Sequence, residues 1–505
     1  MTVARTYTRA QIGIEAPLVV VEADVAQGLP QTLIVGLPET TVKESKDRVR
    51  AAIRNGGFGF AEQRATVNLA PADLPKQGSR YDLAIALTLL AAKDLLPAES
   101  LRGVEVMGEL ALDGSLRAIK GVLPAVMANA DTARVLIVPT GNATEAALAR
   151  NRNVRMAASL GDVVAYLRGD ITLPTPLEPP ASRGQPPQPA LSDVRGQGLA
   201  KHALRIAAAG AHNLLLVGPP GTGKTMLASR LPGLLPPLST AEALELASLQ
   251  SISRRGFDHS GFGIRPFRSP HHTASAVALV GGGNPPKPGE ISLAHNGILF
   301  LDELPEFARQ VLEVLREPLE SGRIMISRAN HQVAYPARFQ LVAAMNPCPC
   351  GFYGHDPTRC HCSLDRIEKY RSRVSGPLMD RIDIHVDVPA LPMGAFSDAS
   401  LQPEVNEHRR SVDIVAQARH MMVARAGKLN AHLTAAETTK SCPLSHSDQL
   451  LLDRAVHKLG LSARGYFKVL KVARTIADLA GCEHIETTHL GEAMAFRGMV
   501  ESGQT

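Results

Sequence analysis

Residues 211–236, AHNLLLVGPPGTGKTMLASRLPGLLP, leave this chain little choice of architecture. A buried strand runs into a Gly-rich loop that opens a helix. Gly218 to Thr225, GPPGTGKT, matches the P-loop pattern G-x-x-x-x-G-K-[ST] in the context that the pattern requires. Gly218, Gly221 and Gly223, spaced by Pro219, Pro220 and Thr222, let backbone N–H groups turn inward around phosphates. The helix N-terminus adds its dipole, and Met226 lies on its first turn. Lys224 offers a point charge to the β- and γ-phosphates, and the Thr225 hydroxyl suits Mg²⁺. ATP and Mg²⁺ are the expected ligands.

The partner signal is ILFLDE, ending at Glu303. Four apolar residues make a central strand, so Asp302 emerges at its carboxyl end, where ligands of open α/β sheets bind. Asp302 is expected to hold Mg²⁺ through water, and Glu303 to polarise the attacking water. Two adjacent carboxylates can also be a solvated strand end; the P-loop favours the catalytic reading. A third apolar strand, FQLVAAMNP, follows. Apolar strands interleaved with helices predict an α/β fold, a parallel sheet with both faces covered.

A chain of 505 residues exceeds one comfortable core, and the length suggests about three domains. The clear seam is Asp170 to Asp193, DITLPTPLEPPASRGQPPQPALSD, where proline excludes helix and central strand. Residues 1–168 alternate short apolar runs with helical stretches, which predicts an α+β domain; 169–192 are the linker. Residues 193–392 form the nucleotide-binding core. Residues 393–505 carry helical periodicity alone and predict a helical lid. No apolar run approaches the roughly 18 residues that span a bilayer, and MTVARTYTRAQIGIEAP lacks the apolar core of a signal peptide. A cytoplasmic protein with no membrane partner is expected. The net charge of +6 permits nucleic-acid binding without establishing it.

Four of the six cysteines crowd into NPCPCGFYGHDPTRCHCS. Cys348, Cys350, Cys360 and Cys362 can close a tetrahedral structural Zn²⁺ site, although C-x-C is tighter than the usual knuckle, and His355 or His361 can replace a thiolate. Free buried cysteines are the alternative.

GRIMISRANHQVAYPARF, from Gly322 to Phe339, reads as a strand–turn–strand hairpin: Ile324 and Ile326 alternate with mobile or polar neighbours, RANH makes the tip, and Val333 and Tyr335 alternate on the return. Its tip carries Arg328, Asn330 and His331, all able to bond phosphate oxygens, and nothing apolar larger than Ala329. Arg265, Arg268, Lys287 and Arg323 concentrate in the same region. DNA contact by Arg328, Asn330, His331 and Arg268 is the expectation; bracing of a neighbouring subunit is the alternative.

With these motifs the chain resembles the AAA+ ATPases. Asn346, ending LVAAMN, matches the family's sensor 1, which helps place the water. GPLMDRIDIHVDV resembles the segment bearing the arginine finger in the magnesium-chelatase and MCM-helicase branches, which makes Arg381 the finger and implies a ring completed in trans. Arg464, opening SARGYFKVLKVARTIADLAG, matches sensor 2; for each of these two arginines a surface ion pair is the alternative. Those branches share a β-hairpin before sensor 1 and an insertion in the second helix, a slot here occupied by GFGIRPFRSPHHTASAVALVGGGNPPKPGEISLAH.

The N-terminal pattern MGELALDGSLRAIKG resembles the Lon protease domain, of the ribosomal S5 domain 2-like class. Where Lon has its serine and lysine this chain has Asp82 and Leu123, which cannot perform that chemistry. Ser79 and Lys120 lie three residues off in each element and would be mis-aimed. The combination, with FRSPHHTAS and CPCG, resembles the ComM/YifB family. That resemblance implies a hexameric ATP-driven helicase that promotes branch migration during natural transformation. Its implied partners are single-stranded and branched DNA and recombinase-coated intermediates. A chelatase motor subunit and a Lon-like protease are the competing readings.

Overall fold

The computed structural model describes residues 3–59, 63–177, 188–328, 331–392, 406–458 and 460–498. The N-terminal unit is a seven-stranded mixed sheet in the order Gln31–Val35, Arg64–Ala70, Leu18–Ala26, Ala4–Arg9, Val104–Val106, Val135–Pro139, Val154–Ala157. Its central helix, Asp82–Ala92, is buried from Asp82 to Ala91, as its apolar character on every side requires. The unit closes on helix Leu160–Arg168, capped by Ser159 and ended by left-handed Gly169.

The core is a five-stranded parallel sheet in the order Phe267–Arg268, Ile298–Leu301, Gln340–Met345, Leu214–Val217, Ile384–Asp387. Strands Leu214–Val217 and Ile298–Leu301 are wholly apolar, and residues 341–345 of the strand between them are too, because both faces of the sheet are covered. Leu214 and Leu216 enter a core shared with the C-terminal helices, while Leu215 enters a second core on the other face. The second core contains the hairpin: Ile324 pairs with Tyr335 and Ile326 with Val333, and all four are buried. Helices Glu407–Ala426, Ala463–Leu479 and Thr487–Gly498 pack Met422, Val469 and Phe496 into the first core.

The second-helix insertion is smaller than the sequence suggested. Phe267–Arg268, inside the segment read as inserted, is the edge strand of the core sheet, paired with Ile298–Leu299. The interruption is a two-stranded ribbon, Gly281–Gly282 with Lys287–Pro288, between helices Ala276–Val280 and Glu290–Leu293. A two-residue strand is too short to show any alternation. Among the described residues no helix is long and apolar enough to cross a membrane.

Candidate nucleotide site

The P-loop leaves the carboxyl end of strand Leu214–Val217. A Cβ on Gly218 would collide with the Val388 carbonyl, so only glycine fits there. Gly221 and Gly223 take positive φ, 78° and 88°, which turns the loop back toward helix Lys224–Ala228. The Thr222 hydroxyl donates to the Pro219 carbonyl at 3.0 Å and pins the turn. Pro220 and Met226 stand exposed at its rim.

Lys224 is buried, and its ammonium donates to the Gly218 and Pro219 carbonyls at 2.8 Å and to Asn346 Oδ1 at 3.1 Å. Burial lowers its pKa, and the Asp302 and Glu303 carboxylates oppose that shift. The Thr225 hydroxyl donates to Asp302 Oδ2 at 2.5 Å, so two hard oxygen donors meet at one point. That donor pair fits Mg²⁺. The strand neighbours explain the convergence: Leu214–Val217 lies beside Gln340–Met345, which in turn pairs with Ile298–Leu301.

Glu303 is a non-glycine residue at φ 53°, and its amide donates to its neighbour Asp302 Oδ1 at 2.9 Å. Left-handed backbone of this kind is held by its surroundings and concentrates at functional sites. Its carboxylate lies 3.2 Å from Nδ1 of His272, a partner that the sequence reading did not name. The paired histidines of FRSPHHTAS were the available signal.

Arg381 and Arg464 lie elsewhere. Asn213, which precedes the P-loop strand, donates through its side chain to the Arg381 carbonyl at 2.9 Å. The two guanidiniums line a cavity of about 380 Å³ with Asn213, Glu320, Lys468 and Lys471. This is the amino edge of the sheet, separated from Gly218 by a four-residue strand, about 13 Å. Neither arginine reaches the phosphate loop of its own chain.

The four cluster thiols gather as the sequence suggested: their sulfurs all lie within 4.8 Å of one another. Cys348, Cys350 and Cys360 are separated by 3.3, 3.7 and 4.0 Å. A ZnS₄ tetrahedron with Zn–S near 2.3 Å has edges of about 3.8 Å, so the donor set fits Zn²⁺. Burial works against it, yet the Phe352 amide and the neighbouring thiols bring the Cys350 thiol down to about 6. His355 pairs with Asp387 at 3.2 Å and is not needed as a ligand. A Cβ on Gly351, at φ 89°, would stand 2.5 Å from Cδ of Pro220, so the cysteine loop rests on the P-loop.

Two expected DNA contacts need correction or fall outside. Arg268 is held bidentate by Glu290 at 2.6 and 2.8 Å, which neutralises it within the chain. Arg265 donates to the Pro236 and Asn296 carbonyls and is a structural brace. Arg328 and His331 are the facing ends of the hairpin strands, and Asn330 lies outside the described residues.

In the N-terminal unit Asp82 is buried and bidentate to Arg48 at 2.9 and 3.1 Å, and burial pushes its carboxyl up to about 6. Leu123 is buried against Leu148 of its own unit and Ala247 of the core. Ser79 donates to Glu109, while Lys120 donates to the Ser253 and Arg254 carbonyls, so the two have separate partners.

Residues 190–396 match the family model "Magnesium chelatase, subunit ChlI", and 408–497 match its C-terminal model. Residues 21–142 match "Subunit ChlI of Mg-chelatase". The chain is 50% identical over 504 residues to "Competence protein ComM" of Haemophilus influenzae, covering 99% of this chain and 98% of that one. It is 48% identical over 500 residues to "Uncharacterized protein YifB" of Salmonella typhimurium, again covering 99% and 98%. The chain belongs to the ComM/YifB family. ComM/YifB proteins are thereby placed among the magnesium-chelatase-like AAA+ ATPases. Likeness to the chelatase itself is narrower: the 38 kDa subunit of Chlorobaculum parvum is 25% identical over 218 residues, 42% of this chain and 55% of that one.

Proposed function

We propose that this ComM/YifB chain is an ATP-driven DNA translocase that works as a ring, a hexamer by analogy with the family, and moves branched DNA during uptake-linked recombination. The observation that carries the reading is the separation of Lys224, Asp302 and Glu303 from Arg381 and Arg464 by the length of the sheet. One chain offers half of a catalytic site at each edge, which suits assembly head to tail. Lys224 would hold the β- and γ-phosphates, and Thr225 and Asp302 the Mg²⁺, which neutralises charge on the transferred phosphoryl group. Glu303 and Asn346 would orient the water, and Arg381 of the neighbour would meet the developing charge. A structural Zn²⁺ on the four cysteines would hold the loop after Asn346 against the P-loop.

The hairpin, rooted in the core by Ile324, Ile326, Val333 and Tyr335, would carry Arg328, Asn330 and His331 to single-stranded or branched DNA, including recombinase-coated intermediates. The role in competence follows the relative of that name, and a cytoplasmic location follows the substrate. The chelatase reading is disfavoured because the Chlorobaculum parvum chelatase subunit aligns with 42% of this chain at 25% identity, whereas the Haemophilus influenzae competence protein aligns with 99% at 50%. The deciding experiment is ATP turnover with and without a four-way DNA junction. Stimulation by the junction supports the reading; a DNA-indifferent ATPase that remains a single protomer with nucleotide ends it.

A further inference from the structure

The N-terminal unit is fixed to the core at a point where cations collect. Lys120 donates to the Ser253 and Arg254 carbonyls at 3.1 and 2.9 Å, just beyond the carboxyl end of helix Thr240–Ile252. Leu123 against Ala247, and Ser251 on Glu145, secure the same joint. Gly13 seats on the hairpin, where a Cβ would come 2.8 Å from Val333.

This docking brings Lys120 beside Arg254, Arg255 and Lys287, the last on the ribbon that interrupts the second helix. Arg254 and Arg255 are exposed, and neither has an ion pair among the described residues. Lys287 lines two cavities at once. One, of about 620 Å³, is shared with Lys120 and the hairpin residue Gln332; the other, of about 290 Å³, with Arg254 and Arg255. Burial, then the Lys120 and Arg254 charges, hold the Lys287 ammonium below its ordinary range, and no carboxylate opposes them. Glu290, in the same cavity, is already taken by Arg268. In the second cavity Arg254, Arg255 and Lys287 thus gather around a carboxylate that is already paired; their like charges repel one another, and an incoming polyanion relieves that repulsion.

We propose that Lys120, Arg254, Arg255 and Lys287 form a second track for the phosphate backbone of a nucleic-acid strand, on the seam between the N-terminal unit and the ribbon. The track rests on the DNA-motor reading and gives the N-terminal unit a direct part in it. The shared chemistry is a row of phosphates; a strand supplies several in sequence, and a free phosphate compound supplies only a few.

The test is fluorescence anisotropy of labelled single-stranded DNA with the full chain over a salt series, for wild type and for Arg254→Ala/Arg255→Ala/Lys287→Ala. Removing three phosphate contacts should lower the slope of log affinity against log salt by about 2. Arg254→Lys/Arg255→Lys should restore most of it, and melting temperature reports whether each variant is folded. A wild-type slope in the folded triple variant overturns the track and leaves the motor reading standing. Wild type that binds no DNA overturns both. Loss of inorganic pyrophosphate binding in the triple variant, with its DNA slope unchanged, assigns the seam to a free ligand and also overturns the track.

Discussion

Arg381 and Arg464 meet on one carboxylate: their Nη2 atoms lie 2.7 and 2.6 Å from the same oxygen of Glu320. Glu320 belongs to helix Arg316–Ser321, which leads directly into the hairpin. The two cations, one from the sheet module and one from the helical region, are therefore presented together, and their shared anchor is joined to the proposed DNA-contacting strand.

Arg381→Ala should keep ATP affinity and lose turnover, on the order of 10³-fold. Mixing it with Glu303→Gln should recover part of the activity, because each variant retains what the other lacks at a shared site. Steady-state ATPase of the mixture checks this, and mixtures no better than their components would place Arg381 outside catalysis.

Glu303→Gln should bind ATP and hydrolyse it 10²- to 10⁴-fold more slowly, the usual range for losing a positioned base. His272→Ala should cost less, about tenfold, since His272 only steers the carboxylate 3.2 Å away. Single-turnover hydrolysis with a separate nucleotide-binding assay distinguishes the two losses from simple failure to bind.

Gly351→Ala should raise KM for ATP while zinc content stays intact, because the new Cβ presses on Pro220 and takes a left-handed backbone that costs about 1–2 kcal/mol. Cys360→Ser should do the reverse at the metal, lowering zinc measured by elemental analysis and the melting temperature with it. Equal zinc in wild type and Cys360→Ser would remove the tetrathiolate site.

His385 gives a pH signature. Burial, with Arg497 and Lys468 adding charge, holds its ring down to about 3. Unfolded histidine titrates near 6.5, so below that pH the unfolded chain binds the extra proton and stability falls as pH falls. The loss attributable to this ring should be about 1.4 kcal/mol per pH unit between roughly 6 and 4. Urea midpoints at pH 7 and pH 5 should converge more in His385→Gln than in wild type; identical slopes would contradict the buried neutral ring.

The phosphate loop and the Asp302–Glu303 pair were legible because their chemistry sits in consecutive residues after an apolar strand. The hairpin was legible for the same reason, since period-two alternation is local. Arg268 misled because its partner, Glu290, lies 22 residues on and the pairing depends on how the ribbon folds back. Arg381 and Arg464 were found through resemblance, but their meeting on Glu320 spans 61 and 144 residues, and only packing sets it. His272 escaped because nothing in the local spacing ties it to Glu303.

Leu123 is a dry rivet between two machines. An ammonium installed there would be buried in an apolar contact, with only the Glu145 carboxylate, already bonded to the Leu123 amide and to Ser251, to offset its charge, and burying it would destabilise the joint. A charge placed at that position would loosen the unit's grip on helix Thr240–Ile252.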